Sequence, residues 1–167
     1  VSSAVVPVLT RYARESDEES LKSVREKYLL AWSVLVVVVT LAGILFSGYL
    51  LAALLDFKQV ADSEKVDLTV ELTKILFWYL LFIGLAASLQ GILHAHGSFT
   101  GPAFSPIIFN LVFIATGWIV APYFPGYEIY VFSGAVILGG ALQFVLLASL
   151  VWRMGIRPRI QWPLDHP

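Results

Sequence analysis

Three amide side chains lie far inside long apolar stretches of this 167-residue sequence. Gln90, Asn110 and Gln143 can each donate and accept hydrogen bonds. Inside a membrane-spanning helix, such an amide either bonds to a neighbouring helix, at about 0.6–2 kcal/mol, or lines a polar pathway. The first role is the more common one. We therefore expect interhelical hydrogen bonds at these residues, with a polar substrate path as the alternative.

Residue types that carry catalysis or bind metals are sparse. His94 and His96 form a small cluster, but residues two apart on a helix point about 200° away from each other. The sequence has no Cys, no Gly-rich phosphate loop, no nucleophile elbow and no HExxH. We expect no catalytic residue, no metal and no cofactor. The formal net charge of −1, without a basic arm, gives no indication of nucleic-acid binding.

Small residues recur where helices could meet. Helices in lipid gain van der Waals contact only where their backbones come close, which needs small side chains. Gly139 and Gly140 lie one helical turn before Gln143. A second set recurs at intervals of three and four residues and shares one helix face: Gly84, Ala87, Ser88 and Gly91. We predict that both sets are packing surfaces.

These residues lie within four stretches that carry no Asp, Glu, Lys or Arg. A helix needs about 20 apolar residues to cross a hydrocarbon core of roughly 30 Å. The composition agrees, with 58% hydrophobic and 14% charged residues against about 25% charged in globular proteins. We predict an all-α membrane protein with four antiparallel transmembrane helices. The stretches are residues 28–55, 75–93, 99–124 and 129–152.

The first 27 residues precede these spans and do not begin with Met. We expect residues 1–9 to be the last turns of an earlier helix and the remainder, to residue 27, to be a cytoplasmic connection. The sequence is therefore expected to begin partway through a larger protein.

Cations are distributed unevenly over the ends and the connections. Five of the eleven Lys and Arg residues lie in residues 11–27, and three follow residue 152. The connection at residues 56–74 holds the other three together with five acids, and residues 125–128 hold no cation. Because Lys and Arg resist translocation, this bias predicts that both ends are cytoplasmic. Residues 56–74 would then be a periplasmic connection and residues 153–167 a cytoplasmic tail.

The connections differ in length. Residues 94–98 and 125–128 are short enough to predict antiparallel neighbours on either side of each. The connection at residues 56–74 is longer, and its apolar residues Val66 and Val70 recur at helical spacing. This pattern predicts a helix that begins outside the membrane and runs into the second span.

The third span starts with two prolines, Pro102 and Pro106. A regular helix through both would cost about 3 kcal/mol, because Pro106 has no N–H and its ring crowds the Pro102 carbonyl. We predict that Ser105 is the N-cap and that the helix starts at Pro106. A kinked helix from Phe99 is the alternative.

Three segments resemble, in order, the MurJ (MviN) family of lipid II flippases in the MOP exporter superfamily. They are VVPVLTRYARE, then GILHAHGSFTGPAFSPIIFNLVFI, then FSGAVILGGALQFVLLASLVWRMGIRPR. His94 departs from the family pattern, which usually has Asn there. The residues that match the family's motifs are Pro7, Val8, Leu9 and Tyr12 in the first segment, Gly91, Leu93, Phe99, Pro102, Ala103, Phe104, Pro106 and Asn110 in the second, and Gly139, Gly140 and Gln143 in the third.

The resemblance implies a stretch from the end of the family's second helix to its sixth, within a MOP-type N-terminal lobe. It implies that a longer parent moves lipid II, an undecaprenyl-diphosphate-linked peptidoglycan precursor, across the bacterial inner membrane by alternating access. The implied partners are membrane lipids, lipid II and the remaining helices of the parent. Peptidoglycan assembly, and with it cell wall biogenesis and cell shape, would depend on this step.

The family's cavity arginines and acid lie on helices outside the resemblance, so the chain is expected to be scaffold. Two alternatives stay open at this point. One is another exporter of the superfamily, for a polyprenyl-linked saccharide or a drug, and the other is a four-span assembly subunit.

The predicted orientation can be tested by cysteine labelling. We expect Ser63→Cys to react with an impermeant maleimide from the periplasmic side, because the connection at residues 56–74 is predicted to lie there. Ser23→Cys and Ile156→Cys should stay unlabelled in intact cells and react after permeabilisation. The reverse pattern would overturn the orientation.

Overall fold

Four long helices make up the described part of the chain, which comprises residues 18–54 and 63–155 of a computed structural model. No strand occurs within these two ranges. The predicted helix end at residues 1–9 lies outside them. So do residues 10–17 and 56–62 of the predicted connections and residues 156–167 of the predicted tail at 153–167. The helices are α1 (Glu18–Leu54), α2 (Ser63–Ala95), α3 (Thr100–Ala115) and α4 (Glu128–Arg153).

The prediction of an all-α membrane protein with four spanning helices is confirmed. Four helical segments are long and apolar enough to cross a membrane. The third is α3 extended by a π-helical turn, Thr116–Val120, and a 3-10 turn, Ala121–Tyr123. The four segments are Tyr28–Ala53, Lys65–Ala95, Thr100–Tyr123 and Glu128–Arg153.

The helices pack in the spatial order α1, α2, α4, α3. Helix α2 packs against α1 on one side and α4 on the other, and α4 also packs against α3. Helices α2 and α3 are joined by a short loop, but they touch at few points. The neighbours predicted from the short loops are therefore packed closely for α3 and α4, whereas α2 and α3 have only a few contacts. A short loop brings together only the adjoining ends of α2 and α3. Helix α4 has a surface that allows it to approach both α2 and α3 closely.

Glycines set the α1–α2 contact. A methyl group at Gly84 would lie 2.8 Å from Val36 Cγ1, and one at Gly43 would overlap the Phe77 ring. The indole Nε1 of Trp32 donates a hydrogen bond of 2.8 Å to the Gly84 carbonyl oxygen. Because Gly84 has no side chain, α1 comes close enough for its Trp to reach the backbone of α2.

A cluster of buried apolar side chains lies between α2 and α4. It extends toward the ends of the helices that adjoin the α2–α3 loop and the C-terminus of α4. The cluster consists of Ala86, Leu89, Ile92 and Leu93 from α2 and Leu147 and Val151 from α4.

Helix α2 begins at Ser63, before the apolar part of its sequence, as the spacing of Val66 and Val70 predicts. At this end the Tyr130 hydroxyl donates a hydrogen bond of 2.9 Å to Glu71 Oε2, which joins α4 to α2. A hydrogen bond therefore joins α2 and α4 in addition to their apolar contact.

The predicted start of the third helix is wrong. Helix α3 begins at Thr100 after the N-cap Phe99 and runs through Pro106. Ser105 lies inside the helix and caps nothing, so the alternative helix from Phe99 describes this segment better. Pro102 lies in the first turn of α3, where backbone N–H groups have no acceptor within the helix, so its missing N–H breaks no hydrogen bond. Only Pro106 interrupts the backbone hydrogen bonds of α3. Membrane helices tolerate such an interruption when neighbouring groups satisfy the freed carbonyl.

The Trp32 hydrogen bond gives a stability prediction. We expect Trp32→Phe to lower the free energy of unfolding by about 0.5–1.5 kcal/mol, because the ring stays while the bond to the Gly84 carbonyl is lost. Trp78→Phe is the matched control, since Trp78 is 48% exposed and has no hydrogen bond to a described residue. Thermal unfolding in detergent measures both, and equal melting temperatures for the two variants would contradict the assigned role.

Candidate polar site between α2, α3 and α4

Two adjacent glycines let α4 contact two helices at once. A methyl group at Gly139 would lie 2.8 Å from Phe109 Cδ2 of α3. One at Gly140 would lie 2.7 Å from Tyr79 Cδ2 of α2. Successive residues on a helix point about 100° apart, so the pair serves two neighbours in different directions. A small side chain at either position would have to displace the facing ring, and a branched one would push that helix away.

Gln143 follows this pair by one turn and lies between the same two neighbours. It is only 6% exposed. On the side toward α2, the next residue, Phe144, packs its ring 6.5 Å from the ring of Phe82. Gln143 is thus a polar residue in the interior of the helix group.

None of the three predicted amides hydrogen-bonds to another residue within the described ranges. Gln143 is buried, Gln90 on α2 is half-buried and Asn110 on α3 is exposed. The interhelical hydrogen bonds expected from the sequence are therefore not formed among the described residues. A polar path lined by the three side chains stays a prediction.

The small residues predicted on α2 have different surroundings. Gly84 lies against Val36, and Ser88 is 2% exposed and donates to the Leu85 carbonyl oxygen at 2.7 Å. Ala87 is half-buried. Gly91 is buried, yet a methyl group there would meet no atom within 4 Å. Of these residues, Gly84 makes the tight contact with α1.

Aromatic rings connect the three helices where the polar residues do not. The Tyr79 ring of α2 lies 5.6 Å from Phe109 of α3, which stacks at 6.4 Å on Phe113. Phe113 in turn lies 5.2 Å from Phe132 of α4. The sequence analysis missed these contacts. The spacing of Phe109 and Phe113 by four residues is a signal for one shared face, but nothing in it identifies the partner helix.

The histidines take part in structural contacts. The His94 ring stacks on Phe99 at 5.2 Å across the α2–α3 loop. His96 Nδ1 lies 2.9 Å from the Ile92 carbonyl oxygen. In the described ranges, no three His, Cys, Asp or Glu side chains come together as metal ligands would.

A family model described as lipid II flippase MurJ matches residues 1–166. The chain belongs to the lipid II flippase MurJ family. This confirms the resemblance seen in its motifs, and the alternative exporter and the assembly subunit are not favoured. The four helices that are long and apolar enough to span a membrane agree with this membership.

Curated members of the MurJ family resemble this chain over much of its length. The lipid II flippase MurJ of Burkholderia cenocepacia is 34% identical over 148 residues, which is 87% of this chain and 28% of the relative. The probable lipid II flippase MurJ of Vibrio cholerae is 32% identical over 172 residues, covering 99% of this chain and 33% of the relative. The chain thus spans about a third of the length of these relatives.

The glycine pair on α4 gives a packing prediction. We expect Gly140→Leu to lower the folded yield in detergent, because the branched side chain would collide with Tyr79 and separate α4 from α2. Gly134→Leu on the same helix is the matched control, since a methyl group at Gly134 would meet nothing within 4 Å. The monodisperse fraction in size-exclusion chromatography reports the yield. If Gly140→Leu behaves like Gly134→Leu, the proposed close approach is incorrect.

Proposed function

We propose that this chain forms part of the first lobe of a longer lipid II flippase. The parent would move the undecaprenyl-diphosphate-linked disaccharide-pentapeptide from the cytoplasmic to the outer leaflet by alternating access. The family match over residues 1–166 is the observation that carries this proposal. The length of the curated relatives, about three times that of the chain, supports the existence of further helices.

The charges of the spans support a scaffold role for this part of the protein. A diphosphate is bound most strongly by charge-assisted hydrogen bonds from fixed cations. Residues 28–55, 75–93, 99–124 and 129–152 contain no Lys or Arg. The cations that bind the diphosphate would therefore come from other helices of the parent, and α1 to α4 would support them.

We propose that Gln90, Asn110 and Gln143 contribute neutral hydrogen-bonding groups to the substrate path. Their amides have no partner among the described residues, so they are available to a sugar, a peptide group or water. Asn110 is exposed on α3 between the exposed residues Phe104, Ile107, Leu111 and Ile114. A polar side chain in contact with lipid tails is costly, which favours a polar cavity beside Asn110 in the parent.

The proposed location is the bacterial inner membrane, with both ends of the chain in the cytoplasm. The eight cations at the two ends, against three in the connection at residues 56–74, support this orientation. In this orientation the Tyr130–Glu71 hydrogen bond lies near the periplasmic surface, and the His94–Phe99 stack lies near the cytoplasm.

A reconstitution experiment tests the scaffold role. We expect residues 1–167 in proteoliposomes to show no lipid II flipping above empty vesicles, because the spans lack cations and there is no second lobe to move against. The full-length parent, reconstituted at the same protein-to-lipid ratio, should flip. Flipping by residues 1–167 alone would overturn the scaffold role, and an inactive parent would overturn the proposed function itself.

A further inference from the structure

Ser105 on α3 has a buried hydroxyl group without a partner among the described residues. Its residue is 0% exposed, and its Oγ atom makes no hydrogen bond to a described residue. Other serines of the helices donate to a carbonyl three or four residues earlier in their own helix, as hydroxyls in apolar surroundings usually do. These serines are Ser47, Ser88, Ser133 and Ser149.

A backbone carbonyl next to Ser105 also lacks its usual donor. Residue 106 is a proline inside the helix, so it has no N–H for the carbonyl of Pro102. Pro102 is itself buried, which keeps bulk solvent and lipid headgroups from this carbonyl. One turn of α3 therefore holds a hydroxyl and a carbonyl that both need a hydrogen-bond partner.

The α3–α4 contacts bring a third polar group to the same turn. Gly101 lies against Leu150, and Phe109 lies against Gly139. The two helices run antiparallel, so Ser105, halfway between residues 101 and 109, lies opposite the stretch between residues 139 and 150. That stretch contains Gln143, which is 6% exposed and whose amide makes no hydrogen bond to another described residue.

We propose that the Pro102 carbonyl, the Ser105 hydroxyl and the Gln143 amide bind one buried water molecule between α3 and α4. Buried waters make about three hydrogen bonds to polar groups that have no other partner, and the flanking contacts bring three polar groups to this level of the α3–α4 interface. Ordered water is also one of the ways in which a proline-interrupted membrane helix satisfies its freed carbonyl. The water would link α3 to α4 at the point where the backbone ladder of α3 is broken.

Stability measurements on two matched hydroxyls test the site. In the purified full polypeptide that carries this chain, we expect Ser105→Ala to lower the melting temperature by about 2–4 °C, because the water loses a partner. Thr40→Val is the control, since Thr40 is 2% exposed on α1 and no proline interrupts α1. Its Oγ1 likewise has no partner in the part of the chain that the structure describes. Thr40→Val should leave the melting temperature unchanged or raise it. If Ser105→Ala lowers the melting temperature no more than Thr40→Val does, the site does not exist.

A double variant tests whether Ser105 and Gln143 share one partner. Gln143→Leu should also lower the melting temperature, and the double variant should lose less than the sum of the two single losses. Additive losses would show that the two side chains act independently, which would contradict a shared site.

Radiolytic labelling distinguishes bound water from a direct Ser105–Gln143 hydrogen bond. A millisecond X-ray pulse produces hydroxyl radicals from ordered water, and these oxidise the side chains beside it. We expect oxidation of buried Pro102 in the unmodified protein and a severalfold loss of it in the double variant. Ile92 is the dry control, since it is 0% exposed within an apolar cluster. Pro102 labelled no faster than Ile92 would overturn the proposal.

Discussion

Close backbone approach is the condition on which this helix arrangement depends. In a bilayer, lipid tails are as apolar as leucine side chains, so helices gain little from hiding apolar surface against each other. Association then relies on van der Waals contact at short range, and glycine allows it. Gly139 and Gly140 place α4 against Phe109 and Tyr79, and Gly84 places α2 against Val36 and Trp32. The order α1, α2, α4, α3 follows from where these glycines lie.

Polar groups add a second condition, because the membrane interior offers no water to an unpaired donor or acceptor. Most of the buried serine hydroxyls satisfy this condition by donating a hydrogen bond to a carbonyl of their own helix. No such hydrogen bond is found for the polar group formed by Ser105, the Pro102 carbonyl and Gln143. This group lies where Pro106 interrupts α3 and where α3 packs on α4. We connect this group with a bound water. The amides of Gln90 and Asn110 belong only to the proposed substrate path of the parent, whereas Gln143 belongs to both proposals.

The sequence predicts the number and type of the helices, since runs of 19 residues or more without charge are long enough to span a membrane and short connections join most of them. It also identifies the family, through motifs that include Pro102, Asn110 and Gly139. It places the start of α3 wrongly, because the local cost of Pro106 is visible in the sequence while the packing of α4 that offsets this cost is not. It also misses that α4 packs closely against both α2 and α3, which have few contacts with each other. Loop length constrains the ends of two helices, and contacts of single glycines with distant aromatic rings decide which helices lie side by side.

The position of α4 against α2 can be measured by one disulfide. A methyl group at Gly140 would lie 3.5 Å from Phe82 Cβ, which is within the Cβ–Cβ range of about 3.5–4.5 Å that a disulfide requires. Residues 1–167 contain no cysteine, so only the introduced pair can form a disulfide within them. Mild oxidation in the membrane should cross-link Phe82→Cys to Gly140→Cys, and the pair Phe82→Cys with Gly134→Cys should stay reduced. Failure of the first pair to cross-link, or equal cross-linking of both, would contradict the close approach of α4 to α2 on which the arrangement rests.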